Sequence, residues 1–122
     1  MKIILSIKPE FANKIFDGDK KFEFRRSIFK NKKVSKVLVY ASAPVSKVIG
    51  EFEIGNVLFK DLVSLWNETK EFSGITEDYF YDYFIGKECG FALEVKRVRR
   101  YKKGLCIRES FGKVPPQSFA YL

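Results

Sequence analysis

The stretch Gly18-Asp19-Lys20-Lys21-Phe22-Glu23-Phe24-Arg25 decides the fold, because it joins the end of a helix to the start of a strand. Glycine readily adopts the left-handed conformation that ends helices, so Gly18 predicts a helix C-terminus. From Lys20 onward aromatic and charged residues alternate, which is typical of a strand with one buried face. The stretch therefore predicts a turn from which Lys20 emerges, and a strand on whose polar face Glu23 and Arg25 lie together.

The residues before Gly18 predict the helix and a strand that precedes it. Residues 2–7 form a short apolar run rich in β-branched side chains, which indicates a buried strand. Pro9 suits a first helical turn, and the apolar residues that follow it recur on one helical face. We therefore expect a strand over 2–7 and a helix from Pro9 to about Gly18.

The residues after Arg25 predict further strands and two more helices. Strands are expected over 36–41, 45–59 and 89–98, with a last short strand over 117–121 at the sheet edge. Gly50 and Gly55 are bend points that would let the sheet curl. Helices are expected over 61–70 and after Thr76, which can cap a helix. This order predicts an α+β fold with a mixed, curved sheet and a few flanking helices, but not the strand order.

The bulk composition is that of a folded, basic protein. A chain of 122 residues fits one domain, so residues 1–122 are expected to form a single unit, and 13 Phe and 6 Tyr argue against disorder. The net charge of +8 favours a polyanionic partner such as a nucleic acid or an anionic membrane. Excess lysine can also serve solubility alone, and charge by itself does not separate these alternatives.

Neither a metal site nor a membrane segment is predicted. Cys89 and Cys106 are the only cysteines and there is no histidine, which leaves too few ligands for structural zinc or an iron–sulfur cluster. No apolar run reaches 18 residues, and no secretory n-region and h-region stand at the start. We therefore expect no cofactor, no metal, no membrane contact and a cytoplasmic location with reduced thiols. The oligomeric state has no signature in this sequence.

The spacing G-x-K-x-x-E-x-R, filled by Gly18, Lys20, Glu23 and Arg25, resembles the signature of ASCH domains, a family of the PUA-like superfamily. Four further segments are similar to family segments: Leu5-Ser6-Ile7-Lys8-Pro9, Tyr40-Ala41-Ser42-Ala43-Pro44, Val48-Ile49-Gly50-Glu51-Phe52 and Pro115-Pro116-Gln117-Ser118-Phe119. The resemblance covers essentially the whole chain. It implies a PUA-like β-barrel with flanking helices, and a cleft beside the first helix that holds the signature residues.

The signature also has a physical meaning of its own. A lysine, a guanidinium and a carboxylate offer donors for a phosphate or a base edge and one acceptor, a set that suits a nucleotide. The alternative is a solvated Glu23–Arg25 neighbour pair, worth about 0–1 kcal/mol; the resemblance favours the cleft. The complete set of residues predicted to bind ligand or RNA is Lys8, Gly18, Lys20, Glu23, Arg25, Arg26, Tyr40, Ser42, Arg97, Arg99, Arg100, Tyr101, Gln117 and Ser118.

Two basic segments and one aromatic segment complete the candidates. Residues 96–103 carry six basic residues and Tyr101, which suits a phosphate backbone with a stacked base, or equally a solvated charged loop. Residues 25–36 are also basic, and the two would form a stripe for single-stranded RNA if the sheet brings them together. The aromatic run 79–84 has helical spacing and, like Trp66, is assigned to the core rather than to a stacking platform.

These observations leave two main functions and a third alternative. The first is an RNA-binding module for a nucleotide or single-stranded RNA, with regulation of transcription or translation as its setting. The second is a hydrolase in which Lys20 and Glu23 would be catalytic, either an acetylcytidine amidohydrolase or a ribonuclease. The amidohydrolase relatives have a threonine nucleophile where Glu23 stands, which counts against that activity. A ribonuclease without histidine would depend on Lys20, Glu23, Tyr40, Ser42 or a supplied metal. The third is a regulatory domain that binds a small anionic metabolite.

Overall fold

A computed structural model describes all residues from Met1 to Leu122 and contains six strands and four α-helices. In chain order they are β1 (Lys2–Ile7), α1 (Pro9–Asp17), β2 (Phe22–Arg25), β3 (Lys36–Ala41), β4 (Lys47–Asp61), α2 (Leu62–Thr69), α3 (Glu77–Tyr83), β5 (Cys89–Leu105), α4 (Ile107–Phe111) and β6 (Phe119–Tyr121). The longest helix, α1, has nine residues, whereas a bilayer crossing takes about 20, so none of the helices could span a membrane.

All six strands form one mixed sheet in the order β2-β5-β4-β3-β1-β6. Only β1 and β3 run parallel; the other neighbours are antiparallel. The pairing of β4 with β5 shifts register between Val48 and Gly50, between Glu51 and Glu53 and between Ile54 and Val57. Such bulges bend and twist a strand, so the sheet curls into a half-barrel. The α+β fold with a mixed, curved sheet and flanking helices is therefore confirmed.

The half-barrel is bridged on its open side by a side chain rather than by strand pairing. Arg25 at the end of β2 donates from its guanidinium to the carbonyl oxygens of Ser6, at 3.1 Å, and Ser118, at 3.4 Å. Those two residues lie at the end of β1 and just before β6, so Arg25 links β2 to the far edge of the sheet. A gap lined by the ends of β1 and β2 remains on this side, where no strand pairs with β2.

Helix boundaries follow the caps that the sequence predicts. Gly18 ends α1 in the left-handed conformation at φ +88°. Asp61 accepts a hydrogen bond from the Ser64 amide, and Thr76 accepts one from the Tyr79 amide, each at 3.1 Å, which fixes the starts of α2 and α3. Gly50 is required for a different reason, because a Cβ there would lie 2.5 Å from the Phe16 ring of α1.

The core lies on both faces of the sheet. The main cluster contains Ile3, Leu5, Val37 and Val39 from the parallel pair, with Phe52 of β4 opposite them. A smaller cluster under α4 packs on the other face of the same strands. A third cluster holds α2 and α3 against β2 and β5. Burial of these apolar side chains, at about 25 cal/mol per Å² of apolar surface, is the main stabilising contribution.

The aromatic residues of the run 79–84 lie in two places. Some are buried in the third cluster, and the others lie on the outer side of α3. Phe80 and Phe84 are fully buried, and both rings meet Phe24 edge to face at 5.2 and 6.3 Å. Trp66 is half-buried against Phe80. The core assignment of Phe80, Phe84 and Trp66 agrees with this packing.

The basic segment 96–103 is not a loop. The sequence placed the end of the strand at Val98, but β5 continues to Leu105. The reason is cross-strand ion pairing: Arg97 lies 2.6 Å from Glu53, and Arg99 lies 2.9 Å from Glu51. Acidic partners on β4 therefore make a highly basic run compatible with a strand, although the strand is bulged in this part.

Glu51 connects three strands. Its carboxylate accepts hydrogen bonds at 2.9 Å from Arg99 and from the Tyr101 hydroxyl of β5, and it lies 2.9 Å from the Lys36 ammonium of β3. Burial favours the neutral acid, but the hydrogen bonds from Arg99, Lys36 and Tyr101 outweigh burial and lower the pKa of Glu51 to about 2. The carboxylate is therefore charged at every physiological pH.

We expect Glu51→Gln to destabilise the protein at neutral pH and to do so much less at pH 2. Because the pKa of Glu51 falls from 4.5 to about 2 on folding, the stabilisation is complete above pH 4.5 and is lost as the pH falls through 2. Hydrogen bonds to charged groups contribute about 1.5–3 kcal/mol each, and a loss of that order is expected at pH 7. Urea denaturation at pH 7, 4 and 2 measures the difference.

Glu53→Gln is the matched control, because its carboxylate pairs with the highly exposed Arg97. Its cost should stay within about 0–1 kcal/mol. A loss for Glu51→Gln that is equal at pH 7 and pH 2 would contradict the assigned role of the carboxylate.

Candidate functional site

A cavity of about 280 Å³ occupies the gap between β1 and β2. Helices α1 and α3 contribute its walls, with Phe11 from α1 and Tyr79 and Tyr83 from α3. Small-molecule sites usually have volumes of about 300–1,000 Å³, so this cavity is near the lower end of that range. Its volume suits a group of about the size of one nucleotide rather than a large cofactor.

Lys20 is buried in the wall of this cavity, with 2% of its surface exposed. Its ammonium donates to the Ser73 carbonyl oxygen at 2.7 Å and lies 4.8 Å from the centre of the Phe24 ring. Gly74, in the left-handed region at φ +69°, gives room for the lysine stem, since a Cβ there would lie 2.6 Å from Cβ of Lys20. Burial lowers the pKa of Lys20 to about 8, although the charge of Glu23 opposes the shift.

Glu23 stands between two cations. One carboxylate oxygen lies 4.0 Å from the Lys20 ammonium, and the other lies 3.6 Å from Nε of Arg25. That Nε is buried and has no hydrogen-bond partner. The negative charge of the Glu23 carboxylate, 3.6 Å away, therefore compensates this buried N–H only in part.

The α3 side of the cavity carries two tyrosines that sequence reasoning assigned to the core run. The Lys8 ammonium donates to the Tyr79 hydroxyl at 3.2 Å, and Phe11 meets the Tyr79 ring edge to face at 5.1 Å. Burial raises the pKa of the Tyr83 hydroxyl, whose titration also responds to Arg25 and Glu23. The available signal was the i, i+4 spacing, which puts both phenols on one face and Phe80 and Phe84 on another.

The structure brings six of the predicted residues to the cavity: Lys8, Lys20, Glu23, Arg25, Ser42 and Gln117. Ser118 lies beside it and contributes its carbonyl oxygen to Arg25. Gly18 does not line the cavity but ends α1 and so sets the position of Lys20. Besides Tyr79 and Tyr83, the residues of the cavity that were not predicted are Ser6, Ile7, Phe11, Phe24 and Ile75.

Two predicted residues near the signature lie elsewhere. Tyr40 is buried in the cluster under α4, because alternation along β3 turns its neighbours Val39 and Ala41 to the main core and Tyr40 to the opposite face. Arg26 is exposed, and it donates at 2.8 Å to the carbonyl oxygens of both Tyr83 and Ile85. It therefore ties the end of β2 to the end of α3.

The predicted residues of the basic segment 96–103, which forms part of the strand β5, also lie outside the cavity. Arg97 and Arg99 pair with carboxylates of β4, and Arg100 lies 3.8 Å from Asp17. Burial and the hydrogen bond to Glu51 raise the pKa of Tyr101 to about 12, so its hydroxyl is held by Glu51. The two basic runs meet at Glu51, where Lys36 and Arg99 share one carboxylate.

The described side chains include no group of three or more His, Cys, Asp or Glu that could hold a metal ion. Cys89 and Cys106 are both free thiols. The side chains that line the cavity offer ammonium, guanidinium, carboxylate, amide and hydroxyl groups. Three cations, Lys8, Lys20 and Arg25, line the cavity against one carboxylate, so the cavity favours an anionic group.

Comparison with known proteins yields curated relatives that match most of this chain. It is 31% identical over 121 residues to the large ribosomal subunit protein uL22 of Ureaplasma parvum serovar 3, which covers 98% of this chain. The chain spans only 39% of the length of that relative. It is also 34% identical over 85 residues, 70% of this chain and 57% of the relative, to an ASCH domain-containing ribonuclease of Zymomonas mobilis.

A solved structure shows the same fold. The crystal structure of ASCH from Zymomonas mobilis superposes with a TM-score of 0.91 at 29% identity, over 99% of this chain and 87% of the other. The sequence model of the ASCH domain matches residues 5–103. The PUA-like fold expected from the signature is thus confirmed, and the chain belongs to the ASCH domain family.

Proposed function

We propose that this protein binds single-stranded RNA and holds one nucleotide of the strand in the cavity between β1 and β2. The observation that carries the proposal is the buried Lys20–Glu23–Arg25 cluster in a cavity of about 280 Å³. Lys20 and Arg25 provide charge for a phosphate. The ASCH domain-containing ribonuclease of Zymomonas mobilis supports RNA as the partner.

The walls of the cavity suit a base as well as a phosphate. The rings of Phe11 and Tyr79 form one apolar side, and an unpaired base can stack on such rings. Glu23 and Gln117 add an acceptor and an amide that can pair with base edges. A duplex does not offer a base in this way, because its bases are stacked and paired, so a single strand is the fitting partner.

The basic residues of β5 contribute less to RNA recognition than their number suggests. Arg97, Arg99 and Arg100 each have a carboxylate within 3.8 Å. Lys102 and Lys103 are exposed on β5 and have no ion-pair partner within 4.0 Å. We therefore assign the basic strand a diffuse attraction for the RNA backbone, and we assign recognition to the cavity.

A second function, RNA cleavage, is favoured by one relative and by the geometry of Glu23. The Zymomonas relative is named a ribonuclease, and Glu23 is the only carboxylate in the cavity. In the proposed step Glu23 accepts the proton of a ribose 2′-hydroxyl, whose oxygen bonds to the adjacent phosphorus while the bond from phosphorus to the 5′-oxygen breaks. The leaving oxygen takes a proton from Tyr83, whose raised pKa keeps it protonated.

The cations have a separate role in that step. Negative charge develops on the phosphate oxygens, and fixed donors in a water-poor site stabilise it strongly. The ammonium of Lys20 and the guanidinium of Arg25 are held by Ser73, Ser6 and Ser118 before any ligand arrives. Binding and cleavage would thus use the same three side chains, Lys20, Glu23 and Arg25. Measurements of RNA affinity and of cleavage rate distinguish the two functions.

We expect Lys20→Met to weaken binding of single-stranded RNA roughly 10-fold to 100-fold at pH 7, as for loss of a charged hydrogen bond. The pKa of Lys20 is about 8, so wild-type affinity should fall as the pH rises from 7 to 9 while the ammonium loses its proton. The affinity of the variant should lack this fall. Fluorescence anisotropy with a labelled RNA oligomer at fixed salt measures both effects.

Lys2→Met is the matched control, because Lys2 is exposed at the other end of β1, about 17 Å from the cavity end by strand rise. It removes the same charge without touching the cavity. Equal weakening by both variants would show that only net charge matters and would sink the proposed site.

We expect Glu23→Gln to slow cleavage of single-stranded RNA by about 100-fold or more, the usual contribution of a positioned proton acceptor. Single-turnover cleavage of end-labelled RNA measures the rate, and Glu53→Gln is the control carboxylate outside the cavity. A substrate with 2′-deoxyribose throughout should not be cut, because it lacks the attacking oxygen. Cleavage of that substrate, or full activity of Glu23→Gln, contradicts the step.

A further inference from the structure

Two phenylalanine rings pack against each other on a strand surface that is partly open to solvent. Phe59 of β4 is 58% exposed, and its ring centre lies 4.4 Å from that of Phe91 on β5, which is half-buried. The neighbouring Val57 is 43% exposed. Single exposed apolar side chains are common on proteins, but a stacked aromatic pair that is open to solvent indicates a binding surface.

The strand register places this pair in line with the cavity. Phe59 pairs with Phe91, and Phe91 pairs with Arg25 on β2. Directly paired residues point to the same face of a sheet, so the guanidinium and the two rings form one row across three strands. Neighbouring strands lie about 4.8 Å apart, which puts Phe91 about 5 Å and Phe59 about 10 Å from Arg25 at the backbone.

We propose that Phe59 and Phe91 form a stacking platform for a base of single-stranded RNA next to the nucleotide in the cavity. The inference rests on the proposed function and adds a second subsite to it. Arg25 belongs to both parts, because its guanidinium reaches the cavity wall while its strand position adjoins Phe91. A strand leaving the cavity past Arg25 meets the two rings next.

The chemistry of the row favours RNA over other occupants. Base stacking on aromatic side chains is the usual way in which sheets hold unpaired bases, and it tolerates any sequence. The net charge of +8 attracts the RNA backbone to the protein as a whole. The rings supply contact for bases, and the cations supply contact for phosphates.

A second copy of this chain is a weaker candidate for the same surface. A stable interface takes about 800 Å² from each partner. An aromatic side chain offers about 150–250 Å² when it is fully exposed, and Phe59, Phe91 and Val57 are all partly covered. Three such side chains cannot supply the area of a stable dimer.

Phe59→Ala tests the platform, because the side chain is exposed and its removal leaves the core intact. The probes are a mixture of the four ribonucleoside monophosphates and a mixed-sequence 2′-O-methyl RNA hexamer, which cannot be cut through the 2′-oxygen. We expect the hexamer to bind roughly 10-fold to 100-fold more weakly to the variant, with unchanged affinity for the monophosphates. Isothermal titration calorimetry measures both.

Two conservative variants separate ring stacking from apolar contact. Phe59→Tyr keeps a ring and should bind the hexamer like the wild type, whereas Phe59→Leu keeps apolar volume without a ring and should resemble Phe59→Ala. Val63→Ala is the control, since it removes a 60% exposed apolar side chain from α2. It should leave hexamer affinity unchanged.

The outcomes distinguish the platform from the cavity. If Phe59→Ala leaves hexamer affinity unchanged while Lys20→Met weakens binding of the monophosphates, the platform is wrong and the cavity proposal stands. If the wild type binds neither probe, both are wrong. If sedimentation shows a wild-type dimer that Phe59→Ala dissociates and Phe59→Leu preserves, the rings are an interface between copies and the platform is overturned.

Discussion

The burial of one ammonium group constrains the rest of the structure. Lys20 is a charged residue with 2% of its surface exposed, and removal of a charge from water is costly unless other groups replace the solvent. The Ser73 carbonyl, the Phe24 ring and the Glu23 carboxylate are those replacements. The pKa of Lys20, lowered to about 8, shows that they compensate only in part. A group held at this cost in free energy is already oriented for an anion before the anion arrives.

The position of that ammonium depends on backbone geometry at two glycines and on an incomplete barrel. Gly18 ends α1 sharply, and Gly74 lets the segment before α3 pass directly over the lysine stem. The sheet curls without closing, and Arg25 of β2 reaches across the open side to the Ser6 carbonyl oxygen. A closed ladder would fill the gap with backbone hydrogen bonds. The cavity lies on that open side, where a side chain rather than a strand ladder joins the two ends of the sheet.

Sequence patterns predicted the structural features that depend on residues close together in the chain. They did not predict the features that depend on contacts between residues far apart in the chain. Gly18, Asp61 and Thr76 mark helix ends through chemistry within a few residues, and the structure has those ends. Tyr40 was assigned to the site because its segment resembles a family loop, yet strand alternation turns it away. Tyr79 reaches the cavity only because α3 packs beside α1, a contact between residues about 70 positions apart. The extension of β5 likewise required Glu51 and Glu53 on another strand.

The distribution of charge, more than its sum, determines where recognition can occur. The arginines of β5 are matched by Glu53, Glu51 and Asp17, so much of the basic strand is neutralised at its own surface. Exposed charges are also screened beyond about 8 Å at physiological ionic strength, whereas buried charges are screened much less. Three cations and one carboxylate line the cavity, and the buried Lys20 and Glu23 among them are screened less than the exposed charges of β5. A polyanion would therefore be attracted by the whole molecule but held at the end of β2.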